Sequence, residues 1–115
     1  MMLITGPLWS GKRDFACRLL GCTREELAGR AVWDVQALAA GCGTDAELEA
    51  LAGRLAGYEA VILTEEGGGV VPADPAVRAA REAAGRLACL LAARADCVVR
   101  VFCGLPLVLK GECNL

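Results

Sequence analysis

The sequence predicts an α/β fold: a mostly parallel sheet covered by helices on both faces, ending in an antiparallel hairpin. Three observations carry that prediction. Short continuous apolar runs alternate with segments of helical period, as strands alternate with helices in a parallel sheet. Apolar residues make up 56 % of the chain but aromatics only 4 %, so the core is built chiefly from Ala, Leu and Val, which suits helices packed on such a sheet. Finally, the apolar runs Cys97–Cys103 and Leu105–Leu109 are separated by Gly104 alone, too short a link for a parallel crossover.

In chain order, Met2–Thr5 is the first strand. Lys12–Leu20 follows as a helix with Phe15, Ala16, Leu19 and Leu20 on one face, ended by Gly21. Thr23-Arg24-Glu25-Glu26 is a capping box that opens a short helix closed by Gly29. Ala31–Val35 reads as a strand interrupted by Asp34, and Gln36–Ala40 carries a weak helical pattern. A second capping box, Thr44-Asp45-Ala46-Glu47, opens a helix to about Ala56 with Leu48, Leu51, Ala52 and Leu55 inward. Ala60–Leu63 is continuously apolar, as a strand buried on both faces should be. Asp74 as N-cap with Pro75 behind it starts a helix to about Ala93, with Val77, Ala80, Ala84, Leu87, Ala88 and Leu91 inward. The two strands of the hairpin come next, and Gly111–Leu115 reads as a frayed tail.

Composition narrows the function. A chain of 115 residues with a net charge of −2 is one domain, residues 1–115, without general affinity for nucleic acid or an anionic membrane. No apolar run is long enough to span a bilayer, the N-terminal run is too short for a signal peptide, and the expected location is cytoplasmic. The seven cysteines include no pair at CxxC spacing, so reduced, buried cysteines acting as small hydrophobes are expected. With no histidine in the chain, nucleophilic chemistry that relies on histidine is excluded.

The stretch with chemical content is Gly6-Pro7-Leu8-Trp9-Ser10-Gly11-Lys12-Arg13. Strand, glycine-bounded loop, lysine and helix follow in the order of a phosphate-binding loop, so the eight residues are expected to form a nucleotide-binding loop, with a glycine-rich structural turn as the plainer alternative. Gly-x4-Gly-Lys would arise in roughly 3 of 100 shuffles of this composition, and its place straight after a strand lowers that several-fold. The position after the lysine departs from the pattern. Where Ser or Thr would help hold Mg²⁺, this chain has Arg13.

Further candidates collect at the carboxyl ends of the strands, where open α/β sheets bind ligands. Asp34 could hold Mg²⁺ through water or simply cap a strand end. Glu65 and Glu66 could supply a base or a second metal contact, or be solvated loop charges. Gly67–Gly69 reads as a flexible lid or a plain glycine turn, and Arg78 with Arg81 as a phosphate clamp or ordinary surface charge. Trp9 either stacks on a base or packs on the sheet.

Three longer segments carry a family resemblance. They are Ala60-Val-Ile-Leu-Thr-Glu-Glu-Gly-Gly-Gly-Val-Val-Pro-Ala-Asp-Pro75, then Ala84-Gly-Arg-Leu-Ala to Leu91-Ala-Ala-Arg-Ala-Asp96, then Val99–Phe102 with Gly104-Leu-Pro-Leu-Val-Leu-Lys110. With Ile4-Thr-Gly-x-x-x-Ser-Gly-Lys12 and Asp34 they resemble the bifunctional adenosylcobinamide kinase/adenosylcobinamide-phosphate guanylyltransferases. The resemblance implies a P-loop NTPase-like fold and a place in cobalamin biosynthesis. It also implies ATP or GTP in the Gly6–Lys12 loop and, if active, phosphoryl transfer to a corrinoid alcohol. In that scheme Lys12 neutralises charge, Asp34 holds Mg²⁺, and Glu66 positions or deprotonates the acceptor. The family's guanylylated histidine has no counterpart here, so that half-reaction is expected to be lost. Arg13 in place of Ser/Thr, and Glu65 in place of the family's Asn, alter the phosphate and metal end of the site. These departures equally suit a non-catalytic module binding nucleotide, corrinoid or a partner. The shortened middle region admits a homo-oligomer through apolar surface that longer members cover.

Overall fold

The structure, a computed structural model, describes residues 1–66 and 73–113. Five strands and five helices occur in the order β1 (Met2–Gly6), α1 (Lys12–Leu20), α2 (Arg24–Leu27), β2 (Ala31–Val32), α3 (Gln36–Ala39), α4 (Asp45–Leu55), β3 (Ala60–Thr64), α5 (Pro75–Arg94), β4 (Cys97–Phe102) and β5 (Leu105–Lys110) among the described residues. The sheet runs β2-β3-β1-β4-β5. Its first four strands are parallel, and β4 pairs antiparallel with β5. β1 lies at the centre, with Ile4 opposite Ile62 on one side and Val99 on the other. The Gly67–Gly69 lid, the run Val70-Val71-Pro72 and the last two residues lie outside the described residues.

The period-two alternation of the strands divides the core into two layers. Leu3, Val61, Leu63 and Val98 face α3, α4 and α5, where Leu48, Leu51, Leu87 and Leu91 are buried against them. Ile4, Ile62, Val99 and Val101 face α1 and α2 and meet Phe15, Ala16 and Leu27. All five residues of β3 are buried, as its unbroken apolar run requires. Helix ends follow the chemistry of their caps. Thr23, Thr44 and Asp74 each accept a backbone N–H at an N-terminus, and Gly21 closes α1 at φ 66.

Four expectations are corrected. The strand expected over Ala31–Val35 stops at Val32, because Asp34 takes a left-handed conformation (φ 56) that breaks the ladder, and Val35 already turns into α3. Val77, expected inward, is 43 % exposed, since the buried stripe of α5 begins only at Ala83. The cysteines are not uniformly buried and reduced: Cys89 and Cys103 are exposed, Cys17, Cys22 and Cys42 half-buried, and Cys97 is joined to Cys113 in a disulfide. That bond also replaces the expected fraying as far as Cys113. Gly111 (φ 73) turns the chain back against the start of β4, where any Cβ would collide with the Asp96 carbonyl.

Candidate functional site

β1 delivers the chain into the Gly6–Lys12 loop at the middle of the sheet's carboxyl edge. Gly6 has φ 152, and a Cβ there would run into the Val101 carbonyl and stand 2.7 Å from Ser10 Oγ. Only glycine fits so close an approach of loop and neighbouring strand. Gly11, at φ 91, caps α1, and the Phe15 N–H donates to its carbonyl at 3.0 Å. The β4–β5 turn braces the loop from the other side: the Gly104 N–H donates to the Ser10 carbonyl at 2.8 Å. Trp9 lies between, in the left-handed region (φ 62) with 90 % of its surface exposed. No packing therefore offsets its backbone cost, a pattern that concentrates at functional sites.

Lys12 opens α1 and is only 7 % exposed. Its ammonium donates to the Pro7 carbonyl at 2.6 Å and, more weakly, to Ser10 Oγ at 3.4 Å. A lysine carries three donors, which leaves one for a ligand beyond these two partners. Burial lowers its pKa from the ordinary lysine value, and the carboxylates of Asp34 and Glu65 act against that shift.

A cleft of about 420 Å³ opens over the loop. Leu8, Trp9, Ser10, Gly11, Lys12 and Arg13 form one wall, and Trp33, Asp34, Ile62 and Thr64 form another. Asp34 accepts a long hydrogen bond (3.4 Å) from the Thr64 hydroxyl. The Arg13 guanidinium lies over the Trp33 ring, 5.5 Å from its centroid, a cation–π arrangement. At the rim Arg24 donates to Asp14 at 2.9 Å. A larger hollow of about 620 Å³ lies beside α3 and α4, but its lining is chiefly apolar and it has no comparable convergence of charges.

Of the residues singled out in the sequence, Leu8–Arg13 and Asp34 come together in this cleft, with Gly6 and Pro7 supporting the loop beneath. Glu66 is exposed and does not line the cleft. Glu65 turns away to β4 and accepts from Arg100 Nε at 2.9 Å and from another guanidinium nitrogen at the same distance. Arg78 and Arg81 belong to α5, whose buried stripe packs on the opposite face of the sheet, and neither lines the cleft. Sequence reasoning missed Trp33, Thr64, Asp14 and Arg24. Trp33 and Thr64 flank positions already singled out, Asp34 and Glu65, and adjacency to those strand ends was the available signal.

Among the described residues, no helix is long and apolar enough to cross a membrane. A mostly parallel α/β sheet with a glycine-bounded loop, a buried lysine and a charged cleft at its carboxyl edge defines an α/β protein whose cleft lies where open α/β sheets ordinarily take ligands. The family model described as cobinamide kinase / cobinamide phosphate guanyltransferase matches residues 41–109, more than half of the chain, and the chain belongs to that family. The matched stretch begins after the Gly6–Lys12 loop, so the reading of the loop stands on its geometry. A search of curated protein sequences returns no match.

Nucleotide-dependent phosphoryl transfer ordinarily recruits Mg²⁺, held in part by a hydroxyl of the loop. The donors here are the Asp34 carboxylate and the Thr64 hydroxyl bound to it. The position that would give the loop hydroxyl gives a guanidinium instead, a like charge without an acceptor. No group of three or more His, Cys, Asp or Glu able to hold a metal occurs among the described residues. The donor set lacks the loop hydroxyl and has a like charge in its place, which disfavours a divalent cation at that position.

Proposed function

We propose that residues 1–115 form a single, P-loop NTPase-like domain that binds ATP or GTP through the Gly6–Lys12 loop, as a cobinamide kinase-type protein of cobalamin biosynthesis. The observation that carries this reading is Lys12: a buried lysine at the first position of α1, in a glycine-bounded loop, lining a cleft of nucleotide size. A phosphate entering the cleft would meet the free N–H groups at the start of α1, the helix dipole and the third ammonium proton. Asp34 and Glu65 oppose the effect of burial on Lys12, which favours the charged form needed to neutralise a phosphoryl oxygen. In phosphoryl transfer to a corrinoid alcohol, Glu66 would position or deprotonate the acceptor. Guanylyl transfer through a histidine is not open to a chain that has none.

A second reading, nucleotide binding without transfer, is favoured by Glu66 standing outside the cleft and by Arg13 standing where a metal-binding hydroxyl would be. Exposed Leu105, Leu107 and Leu109 on β5 additionally favour self-association as a homo-oligomer. Both tryptophans of the chain line the cleft, so intrinsic fluorescence reports on it directly. Titration with ATP and GTP should give a saturable change that Lys12→Ala weakens at least about tenfold. No response to either nucleotide would end the nucleotide reading. Incubation with a corrinoid alcohol and labelled ATP then separates kinase from binder by whether phosphate appears on the acceptor.

A further inference from the structure

We infer that this cleft takes its polyphosphate free of a divalent cation, with the Arg13 guanidinium supplying the second positive charge; the inference rests on the nucleotide reading above. Lys12 and Arg13 are consecutive at the start of α1 and both line the cleft, so two full charges and the helix N-terminus converge on one small volume. Arg13 is held there by its stack on Trp33. Stacking engages the flat face of a guanidinium and leaves its N–H edge free, and that edge binds two phosphate oxygens at once. Counting charged side chains, the lining holds Lys12, Arg13 and Arg24 against Asp14 and Asp34. Arg24 and Asp14 are already paired with each other. What remains is two cations facing one carboxylate, a balance that attracts a polyanion and opposes a divalent metal beside Arg13.

The ligand class is therefore a nucleoside di- or triphosphate in its metal-free form. The test is a fluorescence titration of the full chain with ADP and ATP, once in EDTA and once in excess Mg²⁺. Affinities within about twofold of each other, or tighter in EDTA, are expected. Arg13→Ser should weaken binding in EDTA at least about tenfold and make the remaining affinity depend on Mg²⁺. Arg13 is exposed, so this variant should fold, and a far-UV dichroism melt verifies that. Wild-type binding at least about tenfold tighter with Mg²⁺ overturns the inference while leaving the nucleotide site standing. Arg13→Ser binding in EDTA as well as wild type does the same. Absence of binding in both buffers overturns the nucleotide reading itself, and this inference with it.

Discussion

Gly6→Ala is expected to destabilise the fold by about 2–6 kcal/mol, which combines roughly 1–3 kcal/mol of backbone strain with about 1–3 kcal/mol of overpacking. Both contributions have a visible source. Gly6 has φ 152, where an L-residue is strained, and the new methyl would meet the backbone carbonyl of Val101 and Ser10 Oγ. A backbone oxygen on a central strand cannot swing aside as a side-chain tip can. β4 would have to move away from β1, against the pairing of Thr5 with Arg100 and Ile4 with Val99. For a domain of this size that is a fall of about 8–25 °C in Tm. Gly85→Ala is the internal control. Gly85 lies inside α5, exposed, with open space where a Cβ would stand, and alanine there should stabilise by about 0.5–1 kcal/mol. Urea titrations followed by far-UV dichroism measure both. A loss below about 1 kcal/mol for Gly6→Ala, or a loss of any size for Gly85→Ala, would refute the reasoning.

Three further outcomes follow from the same structure. Lys12 has a pKa lowered chiefly by burial, so between its folded value and the ordinary lysine value the unfolded chain holds more protons, and stability rises with pH there. The stability of the wild type relative to Lys12→Met should therefore increase from pH ~8 to ~11, and an unchanged or shrinking difference would contradict it. Glu59 accepts from Arg30 Nε at 2.7 Å and from a terminal guanidinium nitrogen at 2.8 Å, which lowers its pKa. That stabilisation is present above the ordinary glutamate value and lost as pH falls through the folded one, so Arg30→Met should flatten the acid limb of a stability profile. Thr44→Ala removes the hydroxyl that accepts the Glu47 N–H at 3.2 Å and should cost about 1 kcal/mol in a urea titration, with a change under about 0.3 kcal/mol counting against the cap.

What the sequence revealed and what it hid divide along physical lines. Helix starts were legible because capping is local: Thr23, Thr44 and Asp74 announce themselves within four residues. α1 was bounded correctly at both ends because glycines stand just outside each. The loop and Asp34 were legible as a cluster because strand ends of a parallel sheet must share an edge. The stack of Arg13 on Trp33 was hidden, since its partners are 20 positions apart (33 − 13) and neither belongs to a periodic pattern. Glu65 was hidden for the same reason. Its partner Arg100 comes from β4, on the far side of β1, and only the strand order brings them together. The early end of β2 depends on a single left-handed residue, which apolar patterning does not register.

Among the described residues, the only non-glycine positions with positive φ are Trp9, Asp34 and Cys103. The first two line the cleft, and the third belongs to the turn that braces its loop. Left-handed backbone at a non-glycine residue costs about 1–2 kcal/mol, so this small domain spends several kcal/mol of a marginal total on one corner. Glycine at these three positions would relieve that strain, and a laboratory selection for heat resistance should find such changes early. On the phosphate-binding reading proposed above, the variants so obtained would stand higher temperatures while gripping phosphate less well. On that reading, thermostability and ligand affinity are opposing traits, linked through three backbone angles.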